Sequence, residues 1–567
     1  MYQKTLPFNR GMKNSMLLIV VAIFAASSSF AQNAIVTENQ NPGTPATTWD
    51  IPTKDAGDLS IQGYATDISV SAGATIGFKI DVNTVVGGST NFNIDIYRLG
   101  YYQGNGARLI AHLTGPFTGI SQSTIHPCSV DGTTALIDCG AWTVTATWNV
   151  PSTAVTGLYI AKLTRVGANP NATSHIPFVV RNDASTSALF FKTSDATWQA
   201  YNGYGGNSLY IATAPMMPFM HGDKVSYNRP FVTRSGSGGG GPQEDWFMNA
   251  EYPMIRFLEA NGYDISYTSD MDIARNNANN INLLLNHKIF LSVGHDEYWS
   301  KEVRNSVEAA RAAGTRLAFF SGNECYWKTR WEADENGVAY RTMVCYKEGT
   351  LATPAENACG TKCDPNVEWT GLWRDGCNDP TGNACKPENA LSGNISWDGV
   401  SDNISVPDTY KNLWFWRNTP VASLGAGQTQ QLPNGTLGYE WDWEQYFNSY
   451  PNGRVTMSMS TGDQGRVHKL SLYKYQGNGA LVFGAGTVQW AWGLDANHDG
   501  GNNPPDLSMQ QGTINLLADM GAQPDPTAVL ETGLTRAVGS TDITPPVTVI
   551  SSPVNGATLI QNTPITI

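Results

Sequence analysis

Two short apolar runs, each followed by polar and aromatic residues, stand out along the chain. Residues 290–299 read FLSVGHDEYW, and residues 316–327 read RLAFFSGNECYW. Apolar runs of this length that end at a glycine are typical of buried strands. Between them, Val303 and Val307 repeat at helical spacing, and Gly314 follows as a helix stop. The pattern predicts a strand–helix–strand unit with two parallel strands.

The polar residues that follow these two strands are candidates for a chemical site. His295 and Glu297 come at the end of the first strand, and Asn323 comes at the end of the second. Neighbouring parallel strands bring their carboxyl ends to the same edge of an open α/β sheet, where ligands bind. We therefore expect these three side chains to lie close together.

The rest of the pattern divides the chain into two larger parts and a tail. Residues 32–185 hold short alternating runs between turn residues, which predicts an all-β immunoglobulin-like sandwich. Residues 186–530 alternate strand and helix, which predicts an α/β core with a mainly parallel sheet. Residues 541–567 begin like another sandwich, and we interpret them as the start of an incomplete immunoglobulin-like domain. The predicted strands of the first sandwich are 67–71, 74–80, 91–97, 141–148, 157–163 and 175–180.

The first residues have the pattern of a signal peptide. Lys4, Arg10 and Lys13 precede an apolar run at residues 16–26, and residues 29–31 give a small-x-small cleavage pattern. The run is short for a membrane span, and no other segment has enough consecutive apolar residues to form one. We predict that residues 1–31 are removed and that the mature chain is secreted, periplasmic or on the cell surface, without a transmembrane span.

Composition narrows the class of partner. A net charge of -13 argues against nucleic acid, which needs a basic surface. The 8 cysteines fit an oxidising compartment. Cys128 and Cys139 bracket a predicted hairpin and are candidates for a disulfide. Another group of cysteines crowds one loop-rich segment, where a zinc site is an alternative to disulfides although paired C-x2-C spacing is lacking: Cys359, Cys363, Cys377 and Cys385.

A series of short motifs supports a family resemblance. In chain order they are TWQAY at 197–201, SLY at 208–210, NRP at 228–230, GHDEYWS at 294–300, SGN at 321–323 and GYEWD at 438–442. This series resembles the N,N-dimethylformamidase large (beta) subunit-like family. The resemblance implies a glutamine-amidotransferase-like α/β core that holds one Fe(3+) ion and hydrolyses linear amides. Formamide-degrading members use a separate small subunit, so a small-subunit partner or a homo-oligomer is left open.

The resemblance also implies roles for individual residues. Tyr201, Tyr210 and Glu297 match the metal ligands, although Tyr204 and Tyr227 are close enough in sequence to be alternatives to the two tyrosines. The matched catalytic residues are His295, Asn323 and Glu440. In these roles the histidine moves a proton and the asparagine donates to a developing oxyanion.

Two other functions compete with an iron-dependent hydrolase. Cys325, His295 and Glu440 have the residue types of a cysteine hydrolase, but Cys345 is a natural disulfide partner for Cys325 in an exported chain. The 17 tryptophans and the tail fit a non-enzymatic surface protein that binds glycans.

One further motif predicts a metal of another kind. Asp495, Asn497 and Asp499 are spaced as in the start of a calcium loop, with Gly500 following. The aspartate at the twelfth position, Asp506, is shorter than the glutamate usual there. The motif predicts an isolated Ca(2+) loop rather than an EF-hand.

Overall fold

The computed structural model describes residues 33–541 and the single positions 1 and 558, apart from internal gaps. The gaps are residues 84–89, 168–171, 213–220, 237–244, 350–361, 379–384, 396, 398, 400, 446–448 and 502. Almost all of the predicted signal peptide (1–31) and of the predicted tail domain (541–567) lies outside the described residues, so both stay predictions. Within the described part of the chain, no helix combines the length and the apolar character needed to cross a bilayer.

The N-terminal part of the described chain consists mainly of strands. Their bounds are Ile61–Ala65 (β1), Ser69–Ser71 (β2), Thr75–Val82 (β3), Asn91–Leu99 (β4), Ala107–Thr118 (β5), Ser129–Val130 (β6), Ile137–Asp138 (β7), Ala146–Asn149 (β8), Gly157–Arg165 (β9) and Thr173–Arg181 (β10). Short helices lie at Ala34–Asn39 (α1), Ala46–Trp49 (α2) and Gln122–Ile125 (α3).

Two sheets of this part share an apolar core. One sheet has the order β1-β3-β8 and the other the order β2-β10-β9-β4-β5. Alternate residues of β4 are buried, and Phe92 and Ile94 pack in one cluster with Ile61 and Ile80 of the other sheet. Strand β5 was not among the predicted strands. It is an edge strand whose side chains are exposed or half-buried apart from Ala107, and it lacks an alternating apolar pattern.

The C-terminal part alternates strands and helices. The strands are Leu189–Lys192 (β11), Lys224–Ser226 (β12), Ile265–Thr268 (β13), Ile289–His295 (β14), Tyr298–Ser300 (β15), Arg316–Gly322 (β16), Trp327–Glu332 (β17), Thr342–Val344 (β18), Ser405–Pro407 (β19), Thr429–Gln431 (β20), Val455–Thr456 (β21), Ser460–Thr461 (β22), Val467–His468 (β23), Ser471–Lys474 (β24) and Leu481–Gly484 (β25). The α-helices are Asp195–Ala200 (α4), Glu251–Ala260 (α5), Asp270–Ala278 (α6), Lys301–Ala313 (α7), Asn389–Ser392 (α8) and Leu507–Asp519 (α9).

The largest sheet has the order β13-β11-β14-β16-β25-β24-β21. Its strands from β13 to β25 pair in parallel, and β24 and β21 add antiparallel pairs. A smaller sheet has the order β12-β18-β17-β15, and its strand β15 follows β14 after two residues. The parallel strands therefore end at one edge, where the chain continues into the polar segments.

The strand–helix–strand unit has the bounds that its local signals predict. The Ser300 side chain accepts a hydrogen bond from the Val303 amide and caps the start of α7. Gly314 ends the helix with a φ of 112°, a conformation that a residue with a Cβ adopts only with strain. β14 pairs in parallel with β16, and His295 lies opposite Gly322. Both polar segments thus begin at the same edge of the sheet.

A buried ion pair joins the two parts of the chain. Arg98 of β4 and Glu259 of α5 have fully buried side chains, and Nη2 lies 2.7 Å from Oε1. Tyr267 donates a further hydrogen bond of 2.7 Å to the same glutamate. Removal of one member would leave an unpaired buried charge, which typically costs about 3–5 kcal/mol. The pair therefore fixes the sandwich against the helix that precedes β13.

A disulfide-closed hairpin also joins the two parts. Residues 128–142, called here the sandwich hairpin, contain β6, β7 and the Cys128–Cys139 disulfide. Hydrogen bonds connect it to the chain around residue 210: Asn207 Nδ2 donates to Ala135 O (3.0 Å), the Asp223 amide to Thr134 O (2.9 Å) and Ser226 Oγ to Asp138 Oδ2 (3.0 Å). A Cβ on Gly205 would come 2.6 Å from Ile137 Cδ1. The hairpin thus supports both flanks of this segment.

Candidate functional site

The segment after β14 alternates the direction of its side chains. His295 Nε2 lies 3.4 Å from Glu297 Oε2, so these two side chains face the same side. Asp296 points to the other side, where its Oδ1 accepts a 2.7 Å hydrogen bond from the buried Lys192 ammonium. This ion pair anchors the segment below the site. His295 and Glu297 lie close together, as the sequence predicts.

Two tyrosines, the buried Tyr201 and the half-buried Tyr210, converge on Glu297. The Tyr201 hydroxyl donates to Glu297 Oε2 at 3.0 Å, and the Tyr210 hydroxyl lies 2.9 Å from Oε1 and 3.0 Å from Oε2. The two phenol rings stack with centroids 4.1 Å apart. Tyr201 directly follows α4, and the Glu297 amide donates to Thr197 of that helix at 3.0 Å. The helix therefore holds one tyrosine and the carboxylate in a fixed relation.

The alternative tyrosines take other places in the fold. The Tyr227 hydroxyl donates to Asp195 Oδ2 at 2.9 Å, beneath the start of α4. Tyr204 packs edge-on against Trp142 of the sandwich hairpin, with centroids 6.4 Å apart. Of the four candidate tyrosines, Tyr201 and Tyr210 are thus the two that the structure brings to Glu297.

Burial sets the protonation of this oxygen cluster. Burial and the neighbouring Glu297 carboxylate raise the pKa of Tyr201 and of Tyr210 well above 10.0. Burial also raises the pKa of Glu297 to about 7, although His295 acts in the opposite direction. With these pKa values the tyrosines are neutral phenols that donate to the carboxylate.

Glu440 and Asn323 complete the group around His295. Glu440 Oε2 lies 3.0 Å from His295 Nε2 and accepts a 2.8 Å hydrogen bond from Asn323 Nδ2. The contact with Nε2 is short but is not aligned as a hydrogen bond, so Nε2 has no hydrogen-bond partner among the described residues. The Asn323 side-chain oxygen is a second buried atom without one. Two such atoms at one place point to a ligand that bonds there.

The other ring nitrogen of His295 contacts residues that the motifs did not indicate. Nδ1 lies 2.8 Å from Asp245 Oδ1, and the Tyr439 hydroxyl donates to the same oxygen at 2.6 Å. Burial lowers the pKa of His295, but the Glu440 carboxylate and the hydrogen bond to Asp245 raise it well above 6.5 overall. A protonated imidazole between carboxylates is therefore the favoured form.

Further residues line the site without a clear signal in the sequence. The Tyr298 hydroxyl donates to the Tyr210 hydroxyl at 2.7 Å, and the Lys347 ammonium lies 3.4 Å from the centroid of the Tyr210 ring. Tyr298 and Tyr439 belong to the GHDEYWS and GYEWD motifs, but the motifs indicated roles only for their neighbours. Asp245 follows a glycine-rich run and belongs to none of the motifs, so the sequence did not indicate a role for it.

The expected pairing of Cys325 with Cys345 is wrong in this structure. Both cysteines are buried and free. They belong to different apolar clusters, Cys325 with Trp373 beside α7 and Cys345 on the side of Tyr298. Cys128 is bonded to Cys139 as expected, and Cys363 and Cys385 are also disulfide-bonded.

The position of Cys325 bears on the cysteine-hydrolase alternative. Its Sγ lies 3.4 Å from Arg304 Nη1, whereas the contacts of the His295 ring are with carboxylates and tyrosines. Burial raises the pKa of Cys325 well above 9.0 despite the nearby guanidinium. Among the described residues, the thiol–imidazole pair of this alternative is not formed.

The free cysteines give a direct prediction. After denaturation without reductant, iodoacetamide should label Cys325 and Cys345, and it should leave Cys128, Cys139, Cys363 and Cys385 unlabelled. Peptide mass spectrometry measures this, and a reduced sample labelled throughout is the control. A bridged Cys325–Cys345 peptide would contradict the structure.

The calcium prediction stays a prediction. Asp495 Oδ2 lies 3.0 Å from Arg256 Nε, and Asp499 Oδ2 lies 2.8 Å from Arg234 Nε. In the structure these two carboxylates are thus paired with guanidinium groups, and Asn497 donates to Asp495.

Comparison with models of known protein families gives a match over most of the chain. The model of the family described as N,N-dimethylformamidase beta subunit-like, C-terminal, matches residues 93–503. No curated protein gives a significant match to the chain.

Similar solved structures are distant. A cycloisomaltooligosaccharide glucanotransferase of a Paenibacillus species, complexed with cycloisomaltoheptaose, has 8% identity and a TM-score of 0.16, with 49% of this chain and 57% of that chain covered. A family 123 glycoside hydrolase from Clostridium perfringens has 8% identity and a TM-score of 0.12, with 52% of this chain and 53% of that chain covered. The chain thus spans little more than half the length of these two proteins, and likeness this low supports no conclusion about fold or activity.

The family match includes the oxygen cluster and the residues around His295. It extends over most of the sandwich and the α/β part, so it does not depend on a single short motif. At family level it supports a hydrolase-like role. The chain belongs to the N,N-dimethylformamidase beta subunit-like family.

Proposed function

We propose that this chain is an exported, metal-dependent hydrolase of carbon–nitrogen bonds of the amide type, with small linear amides as substrates. The observation that carries the proposal is the convergence of the Tyr201 and Tyr210 phenol oxygens on the carboxylate of Glu297, within 3.0 Å. Family membership supports the class of reaction. The atoms without partners on His295 and Asn323 support a polar ligand beside this cluster.

The donor set fits ferric iron. Tyr201, Tyr210 and Glu297 can supply three anionic oxygens, which favour a hard trivalent ion over zinc. Because burial raises the pKa of both phenols above 10.0, only a strong Lewis acid would displace their protons. When bound, such an ion would polarise a carbonyl group and acidify a water molecule.

The residues around the cluster have roles of their own. His295 Nε2 faces the carboxylates of Glu297 and Glu440, so a proton on this atom is stabilised and can be passed to the nitrogen of a departing amine. Asn323 binds Glu440 through its Nδ2 and thereby orients that carboxylate. We propose that Glu440 exchanges protons with Nε2 during the reaction.

Export is the second element of the proposal. The pattern of residues 1–31 supports it. The disulfide between Cys128 and Cys139 also supports it, since such bonds persist in oxidising compartments and are rare in the cytosol.

The proposal predicts a coloured iron protein with amidase activity. Elemental analysis of the purified chain should give about one iron per chain, and phenolate-to-ferric charge transfer should give visible absorption. Release of ammonia from formamide and of dimethylamine from dimethylformamide measures the activity. Stoichiometric zinc in a colourless sample would contradict the iron assignment. A metal-free chain without amidase activity would favour the glycan-binding alternative.

A further inference from the structure

We propose that Asp245 is a positioning residue for His295, because its carboxylate holds the imidazole so that Nε2, and not Nδ1, faces Glu297 and Glu440. The inference rests on the proposed function and adds a residue that neither the motifs nor the family resemblance indicated. It concerns the orientation of the imidazole ring.

The contact between Asp245 and His295 is buried and specific. Asp245 Oδ1 lies 2.8 Å from Nδ1, and each side chain is 2% exposed. An ionised carboxylate can only accept hydrogen bonds, so it fixes a proton on Nδ1. With Nδ1 held in this way, Nε2 faces Glu440 and lies 3.0 Å from its Oε2.

The chain around Glu440 reinforces this orientation from the opposite end of the ring. Tyr439 donates to Asp245 Oδ1 at 2.6 Å, while its neighbour Glu440 faces Nε2. One short segment therefore contacts both ends of the Asp245–His295 pair. Rotation of the imidazole by half a turn about the Cβ–Cγ bond would turn a ring carbon towards Asp245 and move Nε2 away from Glu440.

Packing holds Asp245 itself in place. The next residue, Trp246, packs against Trp198 of α4 with ring centroids 5.6 Å apart. Because Tyr201 directly follows α4, the same helix holds both this tyrosine and the segment of Asp245 in place. Among the described residues, the ion-pair partner of Asp245 is His295. Burying a carboxylate costs free energy, and buried titratable groups with specific partners are concentrated at functional sites.

The kinetic test is a double-mutant cycle on the full-length protein. Asp245→Asn keeps the shape but lets the amide present either an acceptor or a donor, so we expect kcat to fall by about 10²–10⁴-fold with KM and iron content little changed. In the His295→Ala background, the same Asp245→Asn change should lower kcat no further. Asp272→Asn, which removes a buried carboxylate paired with Arg181, is the control and should leave kcat near the wild-type value.

A second measurement does not depend on activity. In a crystal structure of Asp245→Ala, the imidazole should turn and Nε2 should leave Glu440. The proposal is overturned if the ring keeps its orientation there, or if Asp245→Asn lowers kcat by the same factor with and without His295. A wild-type protein without amidase activity would overturn the proposed function, and the crystal structure would still decide the role of Asp245.

Discussion

Glu297→Gln is expected to remove most of the bound iron and to lower amide hydrolysis at least about 100-fold. The change replaces an anionic oxygen donor with a neutral amide, so one of three negative charges that favour a trivalent ion is lost. The carboxylate lies within 3.0 Å of both phenol oxygens, so its replacement removes the donor that the two tyrosines surround. Iron per chain, visible absorption and amine release are the measurements.

The matched control for this variant is Glu302→Gln. Glu302 stands in the first turn of α7, five residues further along the chain, with a partly exposed side chain. Its exchange should change neither iron nor activity. If Glu297→Gln kept full iron and colour, the carboxylate would not be a ligand and the proposed centre would be wrong.

His295→Ala should separate proton transfer from metal binding. The variant leaves Tyr201, Tyr210 and Glu297 in place, so iron and colour should persist. Turnover should fall by about 10²–10⁴-fold because the imidazole no longer donates a proton. Circular dichroism checks the fold, and His112→Ala, on an exposed histidine of the sandwich, is the control. Loss of iron from His295→Ala would place the histidine among the ligands instead.

The strand–helix–strand unit could be predicted because its signals are local. Val303, Val307 and Gly314 define α7 within a few residues, and the flanking apolar runs define β14 and β16. The parallel pairing of those strands then brings His295 and Asn323 to one edge, as the spacing indicates. No long-range information is needed for this half of the site.

The other half depends on contacts between distant residues. Tyr201 and Tyr210 meet Glu297 across 96 and 87 positions of sequence, and the family resemblance alone selected them from 23 tyrosines. Asp245 meets His295 across 50 positions and stands in no motif. An aspartate after a glycine-rich run is ordinary in sequence, and its function becomes visible only when the fold buries it beside an imidazole.

The sandwich hairpin has a consequence for how this protein can evolve. Domains that recombine freely meet through few and replaceable contacts. Here residues 128–142 receive backbone and side-chain hydrogen bonds from both flanks of the segment that holds Tyr210, and Ile137 fills the space beside Gly205. A sandwich taken from another protein would lack this hairpin shape. The two parts of the chain are therefore inherited together, and substitutions at the hairpin and at residues 203–228 should covary within the family.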